Sequence, residues 1–372
     1  MLKEKSHNLL VTLLMLCCCL FLYACQTNAN GSGDEPEPPE ETERLPLTQI
    51  DLPYESFQKV VGWISDDTLL VHVGDTENHE LLSYNIFTGE QESIYIDDTS
   101  ILSVELNKTR TKILIQEVSQ TLSRLKVIDT DGSTVQSIDF DYSSYVTLDW
   151  NPTDDNTVFV SHYSYDHIEE SENIEVYIWT IDENTLNPKD IPSISPQWYS
   201  ANVYLYIDEI NSNALYIGDI REDQDDMMLN RDIASFYLNE DTFLGIIESD
   251  IQDNVLHLFH EYPFLVGDKV ISVPKVTMND YPVKPHLTQS TRNGKIYGVI
   301  PQTSFALEEE LGEYSLSYLD FENEETEEVM PLPEDAPVAL SPSEEYILYG
   351  WRLEYIADLE EGELFPLLEV LN

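Results

Sequence analysis

From residue 45 onward the sequence repeats a module of paired hairpins and shows almost no helical periodicity. A recurring supersecondary unit that cannot bury its own apolar face must stack against copies of itself, so the repeat decides the architecture. The first half of the module reads as a strand, a turn rich in Asp, Asn, Ser or Gly, and a second strand of alternating Val, Ile, Leu and Tyr. Its copies are GWISDDTLLVHV (62–73), ELNKTRTKILIQEV (105–118), DWNPTDDNTVFVSH (149–162), YIDEINSNALYIGD (206–219), LTQSTRNGKIYGVI (287–300) and ALSPSEEYILYGW (339–351). The second half is another hairpin, with copies at 81–96, 124–140, 175–191, 234–247, 316–332 and 354–368, turning at dipeptides such as Thr88-Gly89, Asp131-Gly132 and Glu361-Gly362. Such alternation around turn residues is the signature of hairpins, and two hairpins make four strands.

Four-stranded units repeated at roughly 40–50 residues are blades of a β-propeller. Matched positions Trp63, Leu106, Trp150, Ile207, Thr288 and Leu340 are spaced by 43, 44, 57, 81 and 52 residues. The long fourth interval favours an insertion in a six-bladed ring. It leaves open a seventh blade, with FLVGDKVISV (264–273) as its central hairpin. The predicted fold class is therefore all-β: a propeller of six four-stranded blades, with seven as the alternative.

The chain carries 71 acidic against 18 basic residues among its 372, a formal net charge of −53. A phosphate backbone needs a basic face, which this composition does not supply, so nucleic acid is excluded as a partner. The 42% of apolar residues suffices for a packed core. Self-repulsion of this size is screened at high salt, which fits an exported protein in a saline or alkaline medium. Recruitment of a cationic partner or ion is the other reading.

Ahead of the repeats, residues 1–24 read as a signal peptide, with Lys3 and Lys5 preceding an apolar stretch from Leu9 to Leu22. That stretch is shorter than the ~20 residues a bilayer span needs. Leu22-Tyr23-Ala24-Cys25 resembles the lipobox of bacterial lipoproteins, although Tyr23 replaces the usual small or β-branched residue. The resemblance implies that Cys25 is the lipidated first residue of the mature protein. It also implies that the domain sits on the extracytoplasmic face of a Gram-positive cell membrane. Residues 25–44 are polar, acidic and rich in Pro and Gly, and read as a flexible linker; residues 45–372 form the propeller domain. The cysteines are Cys17, Cys18, Cys19 and Cys25, so the mature domain has no thiol for a disulfide, a thiolate metal site or a nucleophile.

Candidate chemistry is sparse. His162 and His167 flank Asp166, and His257 and His260 lie beside Glu261; either group could ligate a zinc-type ion. In a strand, however, residues three apart point to opposite faces, which separates His257 from His260. His162 and His167 are expected in a loop, and His72, His79 and His286 stand apart in the sequence. The Asp-rich turns DTDGS (129–133) and REDQDDMMLNRD (221–232) are like calcium loops, but the first lacks the full ligand spacing and its distal Glu. No nucleophile elbow or sialidase-type Asp-box is present, so no catalytic, cofactor-binding or metal-binding residue is assigned. No cofactor is expected beyond a divalent cation such as calcium bound weakly. Trp63, Trp150 and Trp351 fall near strand–turn junctions, where packing between blades or an aromatic-lined channel mouth are the two readings.

With its lipobox, acidic linker, the opening KVVGWISDDTLL (59–70) and blade repeats to the C-terminus, the chain resembles the YqgU-like six-bladed propeller lipoproteins of Bacillus and its relatives. The repeats are also similar to TolB-type blades, most clearly SPSEEYILYGW (341–351). The resemblance brings no established activity. Repeats without a catalytic signature predict a monomeric binding or scaffold module for an envelope protein, glycan or peptide. The competing expectation is a propeller enzyme acting on carbohydrate or peptide with carboxylates at the central funnel. An enzyme requires carboxylates and aromatics from different blades to converge in one pocket with at least one perturbed pKa.

Overall fold

A computed structural model describes residues 45–75, 78–119, 122–141, 145–166, 171–208, 212–221, 225–231, 233–239, 242–261 and 269–369. Cys25, the signal segment expected before it and the expected linker lie outside them. Among the described residues there is no helix long and apolar enough to cross a membrane.

Among the described residues, seven four-stranded antiparallel sheets follow one another along the chain, at residues 57–97, 100–141, 145–189, 197–230, 235–274, 287–332 and 338–366. In each, the strands pair in chain order. The first strands of neighbouring sheets approach one another and form the inner wall of the ring: Phe57–Trp63, Ser100–Leu106, Tyr145–Trp150, Gln197–Trp198, Ser235–Asn239, Leu287–Gln289 and Val338–Leu340. A small three-stranded sheet joins residues 276–282, which follow the fifth sheet, to Phe305–Ala306 in a connection of the sixth, with Val276 paired in parallel to Phe305.

The all-β propeller of four-stranded sheets is as expected, and the described residues form seven such sheets, the alternative count; the described part of FLVGDKVISV, Lys269–Val273, lies in the last strand of the fifth sheet rather than in a central hairpin. The fourth inner strand is only Gln197–Trp198, too short to alternate visibly. YIDEINSNALYIGD therefore spans the second and third strands of its sheet, and residues 234–247 open the fifth sheet rather than closing the fourth. With Trp198 and Leu238 in the matched positions, the spacings become 43, 44, 48, 40, 50 and 52, and the 81-residue interval disappears.

The turns explain why the sequence repeats as it does. After the inner strand, Asn107 Oδ1 accepts the amides of Thr111 and Lys112, and Asn151 Oδ1 accepts those of Thr153 and Asp154. After the third strand, Asn85, Asp320 and Asp358 each accept two amides from residues two and three further on. These side chains complete the turn that backbone pairing leaves open. Gly132 has a further reason to be glycine: its φ is +85°, and a Cβ there would lie 2.2 Å from the carbonyl oxygen of Ile94 in the neighbouring sheet.

The ring closes between the last and first sheets. Trp63 Nε1 donates to the Ala339 carbonyl at 3.0 Å, Arg352 Nη1 to the Phe57 carbonyl at 3.1 Å, and the Ile50 amide to the Leu367 carbonyl at 2.7 Å. One apolar cluster, including Phe57, Val60, Trp63, Leu348, Ile356 and Leu367, spans the junction. Wedges of this kind recur between successive sheets.

Candidate functional site at the mouth of the tunnel

Each inner strand begins at one end of the ring, here the entry end, and finishes at the other, the exit end. At the exit end a cavity of about 280 Å³ is lined by Glu105 and Lys108 of the second sheet, Asp149 and Trp150 of the third, Gln197 and Trp198 of the fourth, and Leu238 and Asn239 of the fifth. Lys108 Nζ donates to Asn239 Oδ1 at 3.2 Å, joining sheets that are not neighbours across the ring axis. The cavity is thus the mouth of the central tunnel.

Local structure explains which side chains arrive there. Glu105 and Asp149 both occupy the position one before the last residue of an inner strand, and Gln197 occupies it in the fourth sheet. Strand alternation points this position away from the apolar wedge between sheets. Burial pushes the Glu105 carboxyl up to about 7, an effect that neighbouring Lys59 opposes. Asp149 is pushed up to about 8 by burial; the Trp198 amide, donating to its Oδ2 at 2.7 Å, opposes the rise and Glu105 adds to it. Burial lowers Lys59, with Glu105 opposing. At neutral pH the tunnel therefore holds proton-bearing carboxyls in a chain otherwise crowded with carboxylates. Asp149 also borders a second cavity of about 220 Å³ between the third and fourth sheets, beside Ser161 and Phe159. The Nε1 atoms of Trp150 and Trp198 and the Oγ of Ser161 are buried and find no hydrogen-bond partner among the described residues.

The histidines come out differently. His257 and His260 lie in one strand, Val255–Glu261, and part as alternation requires: His257 Nδ1 meets Ser272 Oγ at 3.0 Å, while His260 packs on Phe321. His162 lies not in a loop but in the strand Thr157–Asp166, where its Nε2 is 3.1 Å from Glu175 Oε2. The strand extends further than the polar HYSYDH suggests because both neighbouring strands pair with it past His162. His167 lies outside the described residues. His72 and His79 instead meet each other, Nε2 to Nδ1 at 3.0 Å, in the buried middle of the first sheet. Burial, with contributions from His79 and Lys59, pushes His72 down to about 4. His286 packs edge-on against Trp351 and lies 3.9 Å from Asp335.

In DTDGS, Asp131 Oδ1 accepts the Ser133 amide and hydroxyl, so the segment works as a hairpin turn. In the acidic segment that follows Arg221, Asp226 accepts the Tyr204 hydroxyl; residues 222–224 lie outside the described set. Asp320, Glu325 and Glu327 bring carboxylate oxygens within 4.8 Å of one another on the sixth sheet. The tryptophans divide: Trp63 fills the closing wedge, Trp150 lines the tunnel mouth, and Trp351 is 62% exposed, so packing between blades does not account for it.

The family model described as the YqgU-like 6-bladed beta propeller domain matches residues 85–350. Those residues take in the second to sixth sheets whole and parts of the two that flank them. The "Uncharacterized lipoprotein YqgU" of Bacillus subtilis (strain 168) is 24% identical over 336 residues, 86% of each chain. The crystal structure of the uncharacterized protein lmo1340 of Listeria monocytogenes EGD-e superposes with a TM-score of 0.79 at 20% identity, covering 87% of this chain and 98% of that one. An oligogalacturonate lyase of Vibrio parahaemolyticus superposes with a TM-score of 0.59 at 11% identity, covering 85% and 92%, a likeness of fold. The family's description counts six blades where the structure has seven four-stranded sheets, but the match spans well over half of the sequence, and the chain belongs to the YqgU-like 6-bladed beta propeller domain family.

Proposed function

We propose that this chain is a binding module held on the extracytoplasmic face of the cell membrane by lipid at Cys25, with the exit-end tunnel mouth as its ligand pocket. One observation carries the reading: four successive sheets each contribute a polar side chain, Glu105, Asp149, Gln197 and Asn239, to one cavity with Trp150 in its wall. A concave site with a few convergent polar groups and perturbed carboxyls is what small polar ligands require. A fourth cysteine following an apolar leader, in a chain similar to a protein named a lipoprotein, supports the anchor. A panel of oligosaccharides and peptides screened by calorimetry against the full chain and its Asp149→Asn variant tests the pocket. A ligand that stabilises the former and not the latter is expected. A silent screen, with an envelope pull-down that also recovers no specific partner, would sink the reading.

A second reading, an enzyme acting on carbohydrate or peptide, draws on the same convergence, because Glu105 and Asp149 carry raised pKa values in one pocket. It requires new reducing ends or amines to appear from a bound ligand, and Glu105→Gln to stop their release while binding persists. A ligand recovered intact after prolonged incubation leaves binding alone.

A further inference from the structure

The entry end carries a feature that the tunnel does not use. Connections at the entry end expose Tyr54, Ile251, Met278, Tyr281, Leu311 and Trp351; Ile251 is 91% and Leu311 83% exposed. At the exit end Val135, Met227 and Met228 are exposed at the starts of fourth strands, and the connection 262–268 lies outside the described residues. Met278 and Tyr281 face each other across a tight hairpin whose tip, Asn279-Asp280, has positive φ at both residues (52° and 68°). Such a hairpin holds its apolar pair outward on a stiff support.

Within this end, at the seam where the ring closes, lies a groove of about 330 Å³. Tyr54, Tyr355, Pro366 and Leu368 give it apolar walls, and Glu55, Glu354 and Glu369 line it. Its one cation, Arg352, is turned inward: the guanidinium lies over the rings of Tyr54 and Phe57 at 4.5 and 5.1 Å and donates to the Phe57 carbonyl. The side chains of Glu55 and Glu369 make no hydrogen bond or ion pair among the described residues. The groove thus combines aromatic walls with unspent negative charge, the chemistry that holds a lysine or arginine side chain. The exposed Trp351, next in the chain to Arg352, suits the apolar neighbours of such a side chain.

We propose that the entry end is a docking face for a basic, apolar polypeptide segment of a partner protein, with the seam groove taking a cationic side chain. Charge decides among occupants. An anionic lipid surface, or a second copy of a chain of net charge −53, would be repelled where a cationic segment is drawn in.

The test uses the full chain in detergent and three labelled twelve-residue peptides: alternating Lys-Leu, alternating Lys-Ser and alternating Glu-Leu. The Lys-Leu peptide should bind at least tenfold more tightly than either of the others. Glu55→Gln with Glu369→Gln, and separately Trp351→Ala, should each weaken it about tenfold. A control pair at the exit end, Glu361→Gln with Glu363→Gln, removes the same charge and should change affinity less than twofold. Unchanged circular dichroism would show that each variant is folded. Equal binding of Lys-Ser and Lys-Leu peptides would overturn the proposal, as would equal loss in the two glutamine pairs, because either makes the effect one of bulk charge. Retention on phosphatidylglycerol vesicles that competes with the peptide, or self-association that the seam variants abolish, would assign the face to lipid or to a second copy and also overturn it.

Discussion

The closing seam and the tunnel wall of the second to fifth sheets use the same four-stranded unit to opposite ends. At the seam, buried positions are filled by apolar side chains such as Phe57, Val60, Leu348 and Leu367, and the Trp63 indole that enters there has its N–H satisfied by Ala339. Along the tunnel wall, equivalent strands carry Glu105 and Asp149 at depth, and the Ser161 hydroxyl and the Trp198 indole N–H find no hydrogen-bond partner among the described residues. A ring with two free edges must seal well at one junction. Burying polar groups without full satisfaction costs stability, so their concentration elsewhere marks a site kept for something other than packing.

Breaking the seam should give the largest effect. Leu348 is wholly buried in the closing cluster, and Leu348→Ala should cost about 2–5 kcal/mol through lost burial and the cavity left behind. Trp63→Ala should cost about 3–5 kcal/mol, since it also leaves the Ala339 carbonyl without its donor. Chemical denaturation at fixed pH measures both. A loss below about 1 kcal/mol for either would show that the ring does not depend on this junction.

The tunnel wall should respond in the other direction. Asp149 is raised from 3.8 to about 8, so the folded state holds a proton that the unfolded chain releases. Stability is then highest below pH 4 for this group and falls as pH rises through 8. Asp149→Asn should remove that fall and stabilise the unliganded protein at pH 8.5 by about 2 kcal/mol. That is less than the full shift would give at about 1.4 kcal/mol per unit, because water in the tunnel relaxes the charge. A variant with the parent's pH slope would remove Asp149 from the buried titrating groups.

The first sheet supplies the opposing limb. His72 is lowered from 6.5 to about 4, so its contribution is present above pH 6.5 and is lost as pH falls through 4. His72→Asn should flatten this acid limb by about 1 kcal/mol between pH 7 and pH 4. Denaturation midpoints across that window read it directly, and a limb of unchanged depth would mean that other groups carry it.

How much of this could be read from the chain follows from what each feature depends on. Turn chemistry is local, so the Asn and Asp caps and the two-hairpin module are visible in ELNKTRTK and DWNPTDDN. The sheet count was obscured by Gln197–Trp198, an inner strand held by its neighbours rather than by its own alternation. The candidate site had a signal in the repeats themselves: aligned at the inner-strand ends, Gly62, Glu105, Asp149 and Gln197 fall together, and acids there are out of place in a core strand. Among 71 acidic residues that signal gains meaning only with burial, which depends on ring closure. The His72–His79 pair joins two strands across a hairpin, and its contact depends on a register that spacing alone does not fix.

The smallest effect expected separates both regions from the acidic surface. Carboxylates are plentiful, but the oxygens that look most like ligands already serve the backbone: Asp131 holds the Ser133 amide, and Asp320 the amides of Glu322 and Asn323. Drawing Asp320 toward a cation shared with Glu325 and Glu327 would loosen the turn it closes. A cation present at a hundred times its dissociation constant would add about 2.7 kcal/mol, several degrees of melting temperature in a domain of this size. We therefore expect excess chelator, added to the full chain at constant ionic strength, to leave the melting temperature within one degree. A larger drop, reversed by calcium and not by sodium, would make the acidic face a structural element. The seam would then share with a bound ion the work of holding the ring.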